Sequence, residues 1–303
     1  MYRWNHIHCW ILFAWLLPAG QVLATPESSL NEAYQAAHQR SDASQYPFTI
    51  NSMEQGGVLS ADVFMLLDVS YGEFRDRLQN PRNWCDFLLL TLNIKTCVNR
   101  ELSGRQYLVL YAGRKEYQPP EITYQLKYAF HMAENRPQYF DVKLYADKGP
   151  MLTSDYHIQV QATPYGKQTL LRLGMSYKTS VFSRAATYTY LTTLGRNKIG
   201  FTVIGKDEHG RPVYVDGVKG VIERNVMRYF LALSVYLDAM KVTDRPDFRT
   251  MLQSWFDATE RYHAQLHEYD IDTYIKAKLH ERLNQQELQQ KADSRALSGR
   301  KRG

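Results

Sequence analysis

His263 and His267 stand four residues apart, with Glu260 one turn before them. On a helix this spacing puts two imidazoles and a carboxylate on one face, a set that can hold a divalent metal. Tyr262 and Leu266 mark a buried face beside them, and the surroundings read as a solvated helix surface, so the sequence reading places no metal here. Glu223, Arg224 and Asn225 open a long apolar stretch, with Arg228 following. A carboxylate four or five residues before a guanidinium reads as a helix-stabilising pair. Asn225 falls on the apolar stripe itself, where an amide must find a partner, a water or a ligand. Nucleophile and phosphate motifs are missing. The segment Gly174-Met175-Ser176-Tyr177-Lys178 lacks the final glycine of a nucleophile elbow. There is no phosphate-binding loop and no dinucleotide fingerprint, and nothing implies a cofactor. No acid–base pair is evident.

Two cysteines remain once the N-terminus is set aside. Residues 1–24 have the form of a secretory signal: Arg3, a nine-residue apolar run from Cys9 to Leu17, Pro18 and Gly20, then Val22-Leu23-Ala24 with cleavage expected after Ala24. Nine apolar residues are too few to span a bilayer, which needs about 20. The mature chain is thus expected to be exported and soluble, with a bacterial periplasm as the simplest destination. Cys85 and Cys97 are then a natural disulfide pair in an oxidising compartment. They would clip a helix to a strand for about 3 kcal/mol.

The elements that must position these residues follow from periodicity. Residues 25–56 are read as an N-terminal segment with a short helix near 29–39. Strand-like alternation starts at Val58. Helical spacing follows over 71–79, Pro81 ends it, and Asn83 is read as the cap of a second helix reaching Leu92. Five strand-like stretches come next, at 105–112, which is almost continuously apolar and aromatic, and at 123–133, 139–145, 156–162 and 170–179, which alternate. Turn residues such as Pro119-Pro120 and Lys148-Gly149-Pro150 separate them. One-sided alternation of this kind predicts an antiparallel sheet with one covered face. The cover is a helix over 217–240, apolar nearly all round in its second half. Helical spacing over 183–194 and a hairpin near 199–215 precede it. Two amphipathic helices follow within 241–290. The first buries Phe248, Met251, Trp255, Phe256 and Tyr262, and the second carries an apolar stripe at Leu279 and Leu283.

Charge patterning removes one class of function. The 303-residue chain carries Lys+Arg 37 against Asp+Glu 31, a net of +6. Residues 291–303 hold five bases and one acid, and residues 1–24 hold one base and no acid, so residues 25–290 are nearly neutral with 31 bases and 30 acids. No nucleic-acid-binding face is implied. Residues 291–303, with few large apolar side chains, are expected to form a basic disordered tail capable of transient contact with an anionic membrane surface. A compact basic turn at 195–198 reads as a solvated loop or an anionic head-group contact.

The order of strand, two short helices, antiparallel strands and a long apolar helix resembles the helix-grip fold of the START-like (SRPBCC) superfamily. The resemblance covers residues 57–240. It rests on Ala61-Asp62-Val63-Phe64-Met65-Leu66-Leu67-Asp68, on Tyr71 to Leu78, and on Asn80-Pro81-Arg82-Asn83-Trp84 with its Pro-x-x-Trp turn. It implies an α+β fold in which a curved sheet wraps a long C-terminal helix, with extra C-terminal helices here, around an internal cavity for a hydrophobic or amphipathic small molecule. The tyrosines on the covered face fit that expectation, since each brings an apolar body and a hydroxyl that wants a partner. Tyr124, Tyr128, Tyr156, Tyr177, Tyr229 and Tyr236, with Asn225, are the candidate ligand-binding residues; plain core packing is the alternative for each. Two other functions stay open: an enzyme of cyclase or hydrolase type in the same cavity, and an interaction protein using an exposed stripe at Trp255, Phe256 and Tyr262.

Overall fold

The computed structural model describes residues 25–40, 47–192 and 198–300. The expected signal segment, most of the basic turn at 195–198 and the last three residues of the tail lie outside the described residues.

Helix α1 (Pro26–Arg40) precedes two strands, β1 (Phe48–Gln55) and β2 (Val58–Leu67). Gly56 and Gly57, both at positive φ (58° and 80°), turn β1 into β2. Two consecutive positive-φ residues match the twist of a tight hairpin, which is why glycine sits at both. Helices α2 (Tyr71–Leu78) and α3 (Pro81–Leu88) follow. Ser70 and Glu73 form a reciprocal capping box on α2. The expected cap of α3 is corrected: Asn80, not Asn83, accepts from the Arg82 N–H, and Pro81 opens the helix rather than ending the one before. Proline suits the first helical position because its missing N–H has no helical partner to lose. Asn83 instead donates to Arg77 O at 2.8 Å, and the helix stops at Leu88 rather than Leu92.

Six strands come next: β3 (Ile94–Leu102), β4 (Arg105–Ala112), β5 (Tyr124–Asn135), β6 (Phe140–Lys148), β7 (Ser154–Tyr165) and β8 (Gln168–Lys178). All eight join one antiparallel sheet in the order β1-β2-β8-β7-β6-β5-β4-β3. The return of β8 to β2 folds the two ends of the chain segment together. Then come α4 (Val181–Thr192), a hairpin of β9 (Val203–Lys206) and β10 (Pro212–Tyr214), and the long helix α5 (Gly217–Val242). Helices α6 (Phe248–Glu260), α7 (His263–Leu266) and α8 (Ile271–Arg300) complete the chain. This is the α+β, helix-grip arrangement expected, with α5 held against one face of the sheet.

The two faces divide by residue parity. Leu59, Ala61 and Val63 of β2 join the main core with Ile222, Val226, Phe230 and Leu233 of α5. On the other face, Phe64, Leu170 and Tyr139 pack against Leu30 and Ala37 of α1. The expected boundary at residue 57 therefore moves: β1 belongs to the sheet and α1 to its outer face. Only Phe48, Thr49, Ile50 and Ser52 are buried or half-buried, and the one later apolar side chain, Met53, is exposed, so β1 lacks the apolar alternation that marks a strand.

The C-terminal part also differs from expectation. Helix α8 docks first through Tyr274, Ile275 and Leu279, which pack into the main core, and then through polar groups; Leu279 of the expected stripe is thus covered, while Leu283 is 62% exposed. Edge strand β3 leaves backbone groups unpaired, and α8 satisfies them. Gln285 Oε1 accepts from Cys97 N (3.1 Å), Gln289 Oε1 accepts from Asn99 N (2.9 Å), and Gln289 Nε2 donates to Asn99 O (3.0 Å). The tail expected to be disordered from 291 continues this helix to Arg300. Arg82 holds Asp293 with two hydrogen bonds (2.6 and 3.1 Å), and Ala292 packs on Val98, Val109 and Tyr111. A small residue and an ion pair anchor a segment that lacks large apolar side chains.

Beneath α8 lies a charged cluster with no access to solvent. Lys95 and Glu281 are fully buried and Lys278 is nearly so. Lys278 Nζ donates to Thr91 O, to Ile94 O (2.9 Å) and to Glu281 Oε2 (2.7 Å). Lys95 Nζ donates to Leu92 O (2.8 Å) and Lys115 O (3.0 Å), and sits 3.1 Å from Glu281 Oε1 without the alignment of a hydrogen bond. Burial lowers both amines, Lys278 to about 8, against the opposing attraction of Glu281.

Candidate functional site

A cavity of about 710 Å³ lies between the sheet and α5. Its lining draws on Leu59 of β2, Ile94 of β3, Leu110 of β4, Leu126 of β5, Met175 of β8 and Val221 of α5. Strands from nearly the whole width of the sheet meet one helix there, so the sheet curves around it. The volume falls within the roughly 300–1,000 Å³ usual for small-molecule sites.

Six of the seven candidate residues line this cavity: Tyr124, Tyr128, Tyr156, Tyr177, Asn225 and Tyr229. The period-2 alternation of β5, β7 and β8 turns their tyrosines to the same side, and α5 supplies Asn225 and Tyr229 one turn apart. Tyr236 does not join them. It is buried in the core, its ring 5.9 Å from that of Phe87.

The tyrosines are not equivalent. Tyr156 and Tyr177 stack with ring centroids 5.1 Å apart, and Tyr128 meets Tyr156 edge-on at 6.4 Å. The Thr153 hydroxyl donates to Pro150 O (2.6 Å) and so accepts from Tyr156 (2.7 Å). The hydroxyls of Tyr128, Tyr177 and Tyr229 form no hydrogen bond with another described residue. Burial pushes Tyr229 up to about 12, and Tyr128 and Tyr177 rise for the same reason, so all three remain protonated donors at neutral pH. Asn225 has only a long contact, 3.5 Å from Arg228 Nη1. A wall with three protonated phenols and an amide can orient a polar group on a bound molecule.

Sequence reasoning missed several lining residues. Arg114 and Arg184 are both exposed and place cations at the opening. They sit on the connection after β4 and on α4, where no periodic signal marks an inward face. Gly149, next to the lining residue Pro150 but not itself in the lining, reads in the sequence only as a turn residue. A Cβ there would meet Thr153 Oγ1 at 2.7 Å and Tyr156 Cζ at 2.7 Å. Gly149→Ala should therefore displace the Tyr156 ring and open the Tyr156–Tyr177 stack. The near-ultraviolet circular dichroism of the aromatic residues should change while far-ultraviolet signal stays; an unchanged near-ultraviolet spectrum would refute this.

A second cleft of about 790 Å³ lies between α1 and the outer face of the sheet. Its polar groups already serve one another: Arg172 pairs with Asp62 (2.7 Å) and Gln161, and Gln161 donates to Tyr139. It is the weaker candidate for that reason.

Cys85 of α3 and Cys97 of β3 are bonded, with Cα atoms 5.1 Å apart. The bond indicates an oxidising compartment. Among the described residues no helix is long and apolar enough to cross a membrane. The expected Glu223–Arg228 helix pair is absent. Glu223 instead accepts from Ser52 Oγ (2.6 Å), Phe201 N (2.7 Å), Thr202 N (2.9 Å) and Thr202 Oγ1 (2.7 Å), fixing the chain ahead of the hairpin. Arg228 donates to Glu268 at 2.7 Å. Lys198 bonds His267 O and lies 3.8 Å from Glu268. Trp255 is buried and Phe256 and Tyr262 pack against the core, as the helical spacing predicts, so the exposed stripe that the interaction-protein alternative needs does not form among these residues.

No protein-family model and no curated protein matches the chain. Solved structures similar to it include a STAR-related lipid transfer protein from Xanthomonas axonopodis (13% identity, TM-score 0.36, covering 49% of this chain and 88% of that one). They also include Ara h 8.0201 (9%, TM-score 0.35, 60% and 98%) and truncated norcoclaurine synthase from Thalictrum flavum (14%, TM-score 0.31, 48% and 91%).

Proposed function

We propose that this protein is an exported, START-like carrier that binds a hydrophobic or amphipathic small molecule, lipid-like in character, in the tyrosine-lined cavity. The observation that supports the reading most is the lining itself. Apolar side chains from five strands and α5 surround three tyrosine hydroxyls that bond to no described neighbour. A ligand with an apolar body fills the interior, a hydroxyl, carbonyl or similar group meets Tyr128, Tyr177, Tyr229 and Asn225, and an acidic end suits Arg114 at the opening, where Arg184 is already paired with Glu54 (3.5 Å). The described lining contains no Asp, Glu, His or Lys. This favours binding over acid–base catalysis, which needs a group that exchanges protons near neutral pH. The disulfide and the signal-like N-terminus favour a periplasmic location. The basic residues near the C-terminus suit transient contact with an anionic membrane surface, and nothing favours a nucleic-acid partner.

The probe 1-anilinonaphthalene-8-sulfonate, a small amphipathic aromatic anion, tests the site. It should bind with one site per chain. Tyr128→Phe and Tyr229→Phe should each weaken binding about fivefold, the equivalent of one net hydrogen bond of ~1 kcal/mol. Val221→Trp, which fills the cavity, should abolish it while leaving the folded state intact. Equal affinity for all four proteins would refute the assignment.

A further inference from the structure

Glu260, His263 and His267 converge at the corner between α6 and α7. One ligating atom from each lies within 4.8 Å of the others. Glu260 Oε2 is 2.8 Å from His263 Nδ1, and Glu260 Oε1 is 2.9 Å from His267 Nδ1. The two imidazoles stack with centroids 4.2 Å apart, which turns both Nδ1 atoms toward one carboxylate.

The backbone beneath them is fixed independently of these contacts. Trp255, Leu252 and Ala258 bury one face of α6, and Gln265 and Leu266 are buried on α7. Tyr262, between Glu260 and His263, packs edge-on against Phe48 (5.7 Å) and Phe201 (5.5 Å). The N–H groups of Tyr262, Gln265, Leu266 and His267 are all bonded within the corner. The three side chains therefore project from a rigid base. They are accessible as well: His263 is 67% exposed, His267 39% and Glu260 26% by side chain.

We infer that this corner is a site for a divalent cation of the zinc class, held by His263 Nδ1, His267 Nδ1 and the Glu260 carboxylate. Imidazole and carboxylate are donors that such ions accept, at about 2.0–2.2 Å. In a tetrahedral shell at those lengths, ligating atoms stand roughly 3.3–3.6 Å apart. The two imidazole–carboxylate separations, 2.8 and 2.9 Å, need to open by about 0.4–0.8 Å to match such a shell, which side-chain rotation at an exposed site supplies. The proton on each Nδ1, now shared with Glu260, moves to Nε2 or to solvent as the ion enters. Glu268, the next carboxylate along the chain, is already held by Lys115 (2.5 Å) and Arg228 (2.7 Å). Three protein ligands leave one position open to water or to a ligand from outside the chain.

Titration calorimetry with zinc chloride on the tag-free protein tests this, with cobalt(II) absorption reporting the coordination geometry. The expected result is saturable 1:1 binding with the visible bands of a four-coordinate cobalt site. Glu260→Gln should weaken zinc by at least the ~10–100-fold that loss of a mere supporting partner costs. His263→Ala with His267→Ala should abolish it, with far-ultraviolet circular dichroism unchanged. Should the double variant fail to fold, His263→Asn alone, at the most exposed ligand, carries the same test. Absence of saturable binding by the wild type, or equal binding by wild type and variants, would overturn the inference and leave the three groups as a hydrogen-bonded cluster only.

Discussion

Glu281→Gln should lower the unfolding free energy by about 3–5 kcal/mol, because it leaves two buried ammonium groups without their counter-charge. At roughly 2–4 °C per kcal/mol for a domain of this size, the midpoint should fall by about 6–20 °C. The structure gives the reason. Glu281 bridges Lys95 and Lys278, and every other donor contact of the two amines goes to a carbonyl of residues 91–94 or to Lys115 O. Removing the carboxylate charge leaves a net buried charge with nothing to offset it. The pH dependence has a definite sign. The folded protein lowers Lys278 to about 8, so above that pH the unfolded chain binds more protons than the native one. Stability from this group therefore rises from about pH 8 toward its ordinary value near 10. Above that, the buried tyrosines, whose values are raised by burial, oppose the trend because the unfolded chain ionises first. The deficit of the variant should thus be largest near pH 7 and smaller near pH 9–10, as read by thermal melts across that window. A variant within about 1 kcal/mol of wild type at pH 7, the worth of an exposed pair, would contradict this account of the cluster.

Loss of the Cys85–Cys97 bond should cost about 3 kcal/mol, or roughly 6–12 °C in the melting midpoint. Both cysteines are buried, at 5% and 0% exposure, and the bond ties α3 to the edge of the sheet. Thiol counting on the unreduced, unfolded protein should find neither Cys85 nor Cys97 free. Cys85→Ala with Cys97→Ala should reproduce the effect of reduction on the melt. A double variant as stable as the oxidised protein would show that the clip contributes nothing, and two free thiols would show that it does not form.

The tyrosine-lined wall was readable from sequence because half-buried strands reveal themselves. Tyr124, Leu126 and Tyr128 alternate with polar residues, so parity alone assigns them to the covered face. The same reasoning fails for Tyr236. It shares a helical face with Tyr229, but seven residues carry it about 10 Å along α5, past the cavity and onto Phe87. Strand β1 escaped notice since its outer half, Asn51 to Gln55, is polar apart from the exposed Met53 and shows no one-sided alternation. Helix α8 was visible, but its seat was not. Its first turns pack Tyr274, Ile275 and Leu279 on the core, but beyond them it docks largely through Lys278, Glu281, Gln285 and Gln289, and apolar periodicity has no means of detecting a face whose partners are backbone carbonyls, amides and a buried lysine. The metal-spacing pattern at Glu260, His263 and His267 was visible too; what the sequence lacked was the break between α6 and α7 that turns the three groups toward one another.

Native mass spectrometry of the tag-free protein, purified without detergent from its own producing cells, tests the carrier reading most directly. The expected result is a population carrying one small organic molecule per chain. That molecule should be released by organic extraction and excluded by Val221→Trp. A chain that is always found empty, and that no lipid or amphipathic compound stabilises against heat, would contradict it.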